Sequence, residues 1–503
     1  MAMRGFDRKF KPFEILTDEQ IEAIHKGVIQ VLEETGLAFH DKRALKIFAE
    51  HGCKVDFQNE RVRFPEWIVE DCLAKSPKSF RVKARDSKND IILSGGGPTY
   101  FACSSGYRTL DLDTWEYRSP TRKEYYDFIK VMDALPNLHS LSAFPYFGFA
   151  KVPQCMCLLE GNAANIRMSS KTQMQGTVGD NDTWNIKMAK AVGMDLLSLV
   201  NPAAPLSYYD QQVTCLLKYV EEDMPFHFAS GPVMGATAPA TIAGGMVTPY
   251  VESFGGLVLA QLVRPGTRLW VGNYANAQNM RSGSPDNGAI ANSLHEVVFN
   301  QVARRYKLPT WSSSSAWTSS KQFDFQSGYE QGMAAILCAL AGVNYLFLQC
   351  GFTAQLATHP VKAIMDDDIA GMVGRFLNGV EVNDETLAVD LINEVGPIPG
   401  MFLNKAHTRK WWKIEQYIPP LADKSPYLEW VKNGKKTIID RARQRMEEII
   451  ATHKPAPLTP QQDQALEEIL KEARQYYRKK GLITEEEWKI YQEDLTSPNY
   501  PYA

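Results

Sequence analysis

A chain of 503 residues with a formal net charge of −3, 44% hydrophobic and 22% charged, has room for one large barrel with additions or for two or three ordinary domains. The near-neutral charge excludes a general nucleic-acid binder, which needs a basic face, and the balanced composition excludes a disordered or fibrous chain. No run reaches the roughly 18 apolar residues of a membrane span, and the basic N-terminus lacks the apolar core of a signal peptide; a cytoplasmic protein touching neither nucleic acid nor membrane is expected.

Residues 1–98 read as an α/β extension. Thr17 and Gln20 form a capping box, in which each side chain satisfies a backbone N–H that the first helical turn leaves free. Ile21, Ile24, Val28, Val31 and Leu32 follow at helical spacing until Gly36 supplies a stop. A second helix is expected at 42–50, short strands near Val55 and Val62, and a third helix from Pro65 to about residue 74. The glycines at 95–97 break the chain before the main unit.

Between residues 99 and 384 the pattern becomes strand, loop, helix, and repeats. Strands are predicted at 100–103, 138–144, 172–178, 196–200, 225–229, 269–273, 309–313 and 345–349. The helices after them fall at 122–134, 154–167, 183–192, 211–222, 240–263, 289–306, 328–341 and 361–378, with a hairpin insertion at 107–118 in the first unit. Short apolar strands alternating with amphipathic helices imply parallel pairing through crossovers. Eight such units favour closure into a TIM (β/α)8 barrel, an α/β fold, over an open sheet. Residues 385–503 are helical and more charged, and are expected to wrap the barrel or a neighbouring subunit. Eight cysteines without zinc-ligand spacing are expected to be reduced, buried thiols.

In a TIM barrel the active site lies at the C-terminal strand ends. Those ends nominate Ser104 and Ser105; Phe144, Tyr146 and Phe147; Gln175 and Thr177; Asn201; Ser230; Asn273 and Tyr274; residues 312–317; and Gln349, Cys350 and Phe352. Trp311 and His227 lie just inside their strands. No carboxylate pair, metal-ligand cluster, Ser–His–Asp set, phosphate loop or dinucleotide fingerprint appears among them, so no catalytic residue and no resident metal is assigned. Aromatic faces, amides and hydroxyls remain. Such groups suit an uncharged site or one that holds a cation by ring quadrupoles; each ring taken alone also fits a place in the core. The substrate-binding set is Phe144, Tyr146, Phe147, His227, Asn273, Tyr274, Trp311, Trp317, Gln349 and Phe352. His227 is either a carboxylate reader or a satisfied core histidine. The run Asp366 to Asp368 is expected to be a solvated helix start, and Cys350 an inert thiol.

The stretch from Gly231 to Gly244 (GPVMGATAPATIAG) resembles the signature of the trimethylamine methyltransferase family. Arg264 to Arg268 (RPGTR), Gly328 to Glu330 (GYE), Ala339 to Asn344 (ALAGVN), Val31 to Gly36 (VLEETG), His51-Gly52 and Val55-Asp56 are similar to the family pattern as well. The resemblance implies methyl transfer from a methylamine to the cobalt of a corrinoid (cobalamin) carried by a partner protein, with no metal of the enzyme's own. Archaeal members use pyrrolysine, which this chain lacks. That departure points to the branch acting on quaternary amines such as glycine betaine, proline betaine and carnitine. Glycine betaine leads, being common and small. A betaine's carboxylate needs donors, and His227, Asn273, Gln349, Arg281 and the N–H groups of residues 312–315 are candidates. A homo-oligomer is expected. The rival reading is a non-catalytic quaternary-ammonium binding protein.

Overall fold

The computed structural model describes residues 5–104, 106–142, 150–176, 180–352, 356–498 and 500–502. Eight parallel strands close into a barrel in chain order: β1 (Tyr100–Cys103), β2 (Ser140–Ser142), β3 (Thr172–Gln175), β4 (Leu197–Val200), β5 (Phe226–Ser230), β6 (Leu269–Asn273), β7 (Thr310–Ser312) and β8 (Tyr345–Gln349). The crossover helices are α1 (Arg122–Ala134), α2 (Gln154–Met168), α3 (Asn181–Ala191), α4 (Asp210–Glu221), α5 (Ile242–Val263), α6 (Ile290–Tyr306), α7 (Phe325–Ala341) and α8 (Pro360–Leu377). The fold is the expected TIM barrel, with helix ends within a few residues of those read from periodicity. The parts of 138–144 and 172–178 beyond the observed strands fall partly outside the described residues, as do Ser105 and Thr177.

Two faces alternate along each strand. Tyr100, Ala102, Met174, Leu197, Ala229, Trp270, Trp311, Tyr345 and Phe347 point inward and form the barrel's own core. Outward residues pack on the helices. A hairpin of strands Ser79–Val82 and Ile91–Ser94 adds Phe80, Val82, Ile91 and Leu93 to that inner core, with the Phe80 ring 5.9 Å from Trp270. It closes the N-terminal end of the barrel, leaving the C-terminal end as the mouth.

The N-terminal extension forms as the capping box directs: Thr17 caps helix Asp18–Glu34, and Gln20 reaches back to the Thr17 N–H at 3.0 Å. Its sheet of Leu37–His40, Arg61–Arg63 and Lys54–Asp56 takes a fourth strand, Ser207–Tyr209, from the β4–α4 connection. Helix α5 lies between this extension and the barrel. By length and composition it could cross a membrane, yet 83% of its most apolar window is buried. Protein on both sides accounts for its composition.

Three consecutive aspartates on α8 correct a sequence expectation. Asp366, Asp367 and Asp368 are buried rather than solvated. Asp366 pairs with Lys362 and accepts the Cys350 N–H at 3.0 Å; Asp367 and Asp368 accept the N–H groups of Asn137 and Leu421, each at 3.1 Å. Burial pushes the carboxyls of Asp366 and Asp367 up to about 6 against these partners. The run fastens the β8–α8 connection and the C-terminal segment to the barrel.

Helix α2 carries a wholly buried Glu160. Its carboxylate meets Arg122 of α1 at 3.0 Å, Arg474 of helix Pro460–Lys479 at 3.0 Å, and the Tyr491 hydroxyl. Arg122 also pairs with Asp494 at 2.6 Å. Burial disfavours the charged form, but the two guanidiniums outweigh it and hold the Glu160 carboxyl down at about 2. The C-terminal helices are thereby bound to the barrel by charge as well as by apolar packing.

Candidate active site

A cavity of about 290 Å³ opens at the barrel mouth. Its floor is the top layer of the inner core, Met174, Leu199, His227, Trp311 and Phe347; its rim is Ser104, Gly106, Tyr107, Asn201, Tyr274, Ser313 and Trp317. None of these residues is Asp, Glu, Lys or Arg. Among the described residues no three His, Cys, Asp or Glu side chains gather as a metal cluster.

The aromatic wall is held by backbone contacts. Trp311 packs on His227 with ring centroids 4.6 Å apart and on Phe347 at 5.6 Å, and its Nε1–H donates to the Phe228 carbonyl at 2.8 Å. Gly272 makes room for it, since a Cβ there would fall 2.4 Å from the indole. Tyr274 lies edge-to-face with Trp317 at 5.6 Å and hydrogen-bonds through its hydroxyl to the Asn201 amide at 2.5 Å. A Cβ on Gly231 would lie 2.0 Å from the Tyr274 ring. The opening glycine of the run from Gly231 to Gly244 thus lets a rim tyrosine lie flat on the backbone. Val233–Met234 of the same run pairs with Asn276–Ala277 beyond β6, fixing the loop that carries Tyr274.

His227 is 1% exposed, lies 4.9 Å from Trp270 and 4.6 Å from Trp311 by ring centroids, and its Nδ1 meets no hydrogen-bonding partner. Burial drives its pKa down to about 3, so the ring is neutral at neutral pH and offers one N–H donor and one acceptor. A folded-state value below the ordinary 6.5 stabilises the fold above that pH and withdraws the contribution as pH falls through 6.5 toward 3. His295 and His359, both lowered to about 4 by burial, act in the same direction. Against the opposite contribution of the burial-raised Asp366, Asp367 and Glu296 carboxyls, these histidines are expected to lower the urea midpoint between about pH 6.5 and pH 4.5. It should fall less in a His227→Phe variant, measured by equilibrium unfolding.

Behind the rim, a recess of about 10 Å³ is lined in part by Glu296, Ser313, Trp317 and Tyr274. Glu296 Oε2, Ser313 Oγ and Trp317 Nε1 are buried there without partners. Burial lifts the Glu296 carboxyl well above its ordinary range.

Of the residues nominated from sequence, the structure gathers His227, Tyr274, Trp311 and Trp317 on the cavity wall, with Ser104, Asn201 and Ser313 beside them. Phe144, Tyr146 and Phe147 fall outside the described residues. Asn273, Gln349 and Phe352 are not on the wall. Asn273 is in register with Ser230 and Ser312, whose hydroxyls meet Glu252 and Cys338 on the surrounding helices; alternation from inward Trp270 puts it on the same outward face. Gln349 should share the inward face of Tyr345 and Phe347, but the pairing with β1 slips between Phe347 and Gln349. The slip aligns Gln349 with outward Cys103, and its amide N–H₂ reaches the Asn137 carbonyl at 3.4 Å. Phe352 packs on Phe323 at 4.9 Å, beside Trp115 of the hairpin insertion.

Several other nominees also lie elsewhere. Gln175 bonds outward to the Leu158 carbonyl, and Arg281 is exposed. The buried Cys350 thiol donates to the Ser104 carbonyl at 3.2 Å and is pushed well above the ordinary thiol range by burial, as an inert thiol requires. Met174, Leu199, Phe347, Gly106 and Tyr107 line the cavity without having been nominated. The first three share the inward face one alternation below a strand end, and that parity was a usable signal.

Comparison with known proteins agrees with the fold and the motif. Residues 1–476 match the family model described as trimethylamine methyltransferase (MTTB). The chain is 32% identical over 469 residues to the glycine betaine methyltransferase of Desulfitobacterium hafniense, covering 91% of this chain and 96% of that protein. It is 29% identical over 480 residues to trimethylamine methyltransferase MttB of the same species, covering 92% and 94%. Against MttB of Methanosarcina barkeri it is 26% identical over 490 residues, covering 92% and 96%. In fold it is similar to the crystal structure of the Methanosarcina barkeri monomethylamine methyltransferase MtmB, with a TM-score of 0.50 at 12% identity over 87% of this chain and 89% of that one. The chain belongs to the trimethylamine methyltransferase family.

Proposed function

We propose that this protein transfers a methyl group from a quaternary amine, glycine betaine foremost, to the cobalt of a corrinoid carried by a separate protein. The observation that carries the reading is the aromatic cavity at the mouth, whose described lining has no charged side chain and has His227 at its floor. Its volume is at the small end of ligand pockets, about 300–1,000 Å³, which suits a compact cation. A corrin macrocycle is too bulky to enter. The acceptor must meet the substrate at the opening, as a second substrate; the corrinoid supplies the cobalt nucleophile.

Displacement at a methyl carbon breaks one N–CH3 bond, and its electron pair stays on nitrogen. A neutral tertiary amine leaves and no proton moves, so the step asks for no general acid or base, and the described lining carries no Asp, Glu, Lys or Arg. Because positive charge on nitrogen disappears, a pocket that bound the cation very tightly would oppose the step. Ring faces such as those of Trp311, Trp317, Tyr274 and Phe347 attract a cation by only about 0.5–2 kcal/mol each. They exclude water and aim one methyl at the mouth, so the enzyme's contribution is positional. The neutral His227 ring offers a hydrogen bond to the betaine carboxylate.

The reaction is tested with reduced cobalt(I) cobalamin and a panel of methylated amines, followed spectroscopically. Methylation of the corrinoid by a betaine is expected. Betaine binding without transfer, even with the native corrinoid protein present, would replace this reading with a sensor or storage role. Two variants divide the pocket. Trp317→Ala should weaken glycine betaine and tetramethylammonium alike, by roughly 3- to 30-fold. His227→Ala should weaken glycine betaine by about 10-fold or more and tetramethylammonium far less; equal losses would remove His227 from carboxylate recognition.

A further inference from the structure

Residues 378–418 bury no side chain anywhere along their length. They include helices Val389–Val395 and Ala406–Gln416, too short to persist alone in water, where isolated helices under about 12–15 residues are marginal. The composition is not that of a solvated linker. Twelve large apolar side chains stand exposed, among them Ile398 at 95%, Leu403 at 83% and Val380 at 81%, and the patch continues onto α8 through Met372 and Phe376. Together they expose on the order of 1,000 Å² of apolar surface. Summed along the segment, that is comparable to the roughly 800 Å² that one partner gives to a standard specific interface.

The arm is nevertheless preformed. Lys405 pairs with Glu394 at 2.8 Å, Lys410 with Glu385, and the His407 ring with the Glu385 carbonyl at 3.2 Å, tying its two halves together. It leaves the barrel at Asn378, after α8 has run from the mouth to the opposite end, where the Lys9 N–H meets the Leu377 carbonyl. An acceptor protein seated over the cavity is therefore at the wrong end to cover it. A partner that comes and goes would also leave the patch bare between visits. A second copy of the same chain is always present in equal amount, and in a two-fold pair each copy's arm is covered by the same contact.

We propose that residues 378–418 are a dimerisation arm that packs on a second copy of this chain. The inference is independent of the methyl-transfer reading. Sedimentation velocity of the full chain at low micromolar concentration tests it, with wild type beside an Ile398→Asp, Leu403→Asp double variant. Both side chains are exposed in the single chain, so the variant should fold with an unchanged circular dichroism spectrum. Wild type is expected at twice the single-chain mass or a multiple of it, and the variant at the single-chain mass. Hydrogen exchange at 389–395 and 406–416 should be slow in wild type and fast in the variant. A monomeric wild type, an associated double variant, or fast exchange in both proteins would overturn the proposal. So would a monomer that associates through the arm only with added corrinoid protein, which would assign the surface to the acceptor.

Discussion

Replacing Trp311 with alanine is expected to lower methyl transfer on the order of 100-fold, because a displaced methyl loses the alignment that proximity supplies. The variant should also lose about 3–5 kcal/mol of stability, the usual cost of removing a buried tryptophan. The indole is 2% exposed, packs on His227 and Phe347, and gives its N–H to the Phe228 carbonyl. Its loss leaves a hole under the cavity and removes one hydrogen bond to the Phe228 carbonyl. Trp311→Phe separates the two effects, keeping a ring face while giving up the hydrogen bond, at a cost nearer 1 kcal/mol. Initial rates at saturating amine and urea midpoints check both. If Trp311→Ala turned over at the wild-type rate, the cavity floor would not be what aims the methyl at the mouth.

Replacing Arg474 with methionine is expected to cost about 3–5 kcal/mol, since removing one partner leaves buried charge uncompensated. Glu160 is 0% exposed and relies on Arg122 and Arg474 together. Its carboxyl, held at about 2 against an ordinary 4.5, stabilises the fold above pH 4.5 and loses that contribution as pH falls through 4.5 toward 2. With one cation gone the folded-state pKa rises. The deficit of Arg474→Met should therefore be largest near neutrality and shrink on acidification. Thermal denaturation across pH measures this, and a pH-independent deficit would mean that only packing was lost.

The barrel was legible because each strand is a short apolar run and each helix carries its own period. Arg122–Ala134 agrees with the spacing at both ends, and Thr121 caps it with Glu124 in return. The strand Leu37–His40 was not foreseen. Neither was the closing hairpin at Ser79–Val82 and Ile91–Ser94, whose place is set by the barrel end it plugs. The site was legible only in part. Distance to a strand end ranked Asn273 with Tyr274, although successive residues face opposite ways. For Gln349 even alternation would have misled, because a slip in pairing reverses its face, and such a slip depends on the neighbouring strand. The buried aspartates of α8 were misread for a related reason: their partners Asn137 and Leu421 are 230 and 53 residues away in the chain.

The cavity floor is also the last layer of the barrel's core. Met174, Leu199, Trp311 and Phe347 hold strands together and touch whatever enters. Many barrel enzymes keep these tasks apart, with loops choosing the ligand while the strands stay constant. Here the rim can be redrawn freely, but a change in the shape of the floor is a change in folding energy. A descendant that acquires a bulkier amine has to cross a stability deficit or repack several strands together. Substrate range in such a lineage should shift in steps, each accompanied by compensating substitutions in the barrel interior.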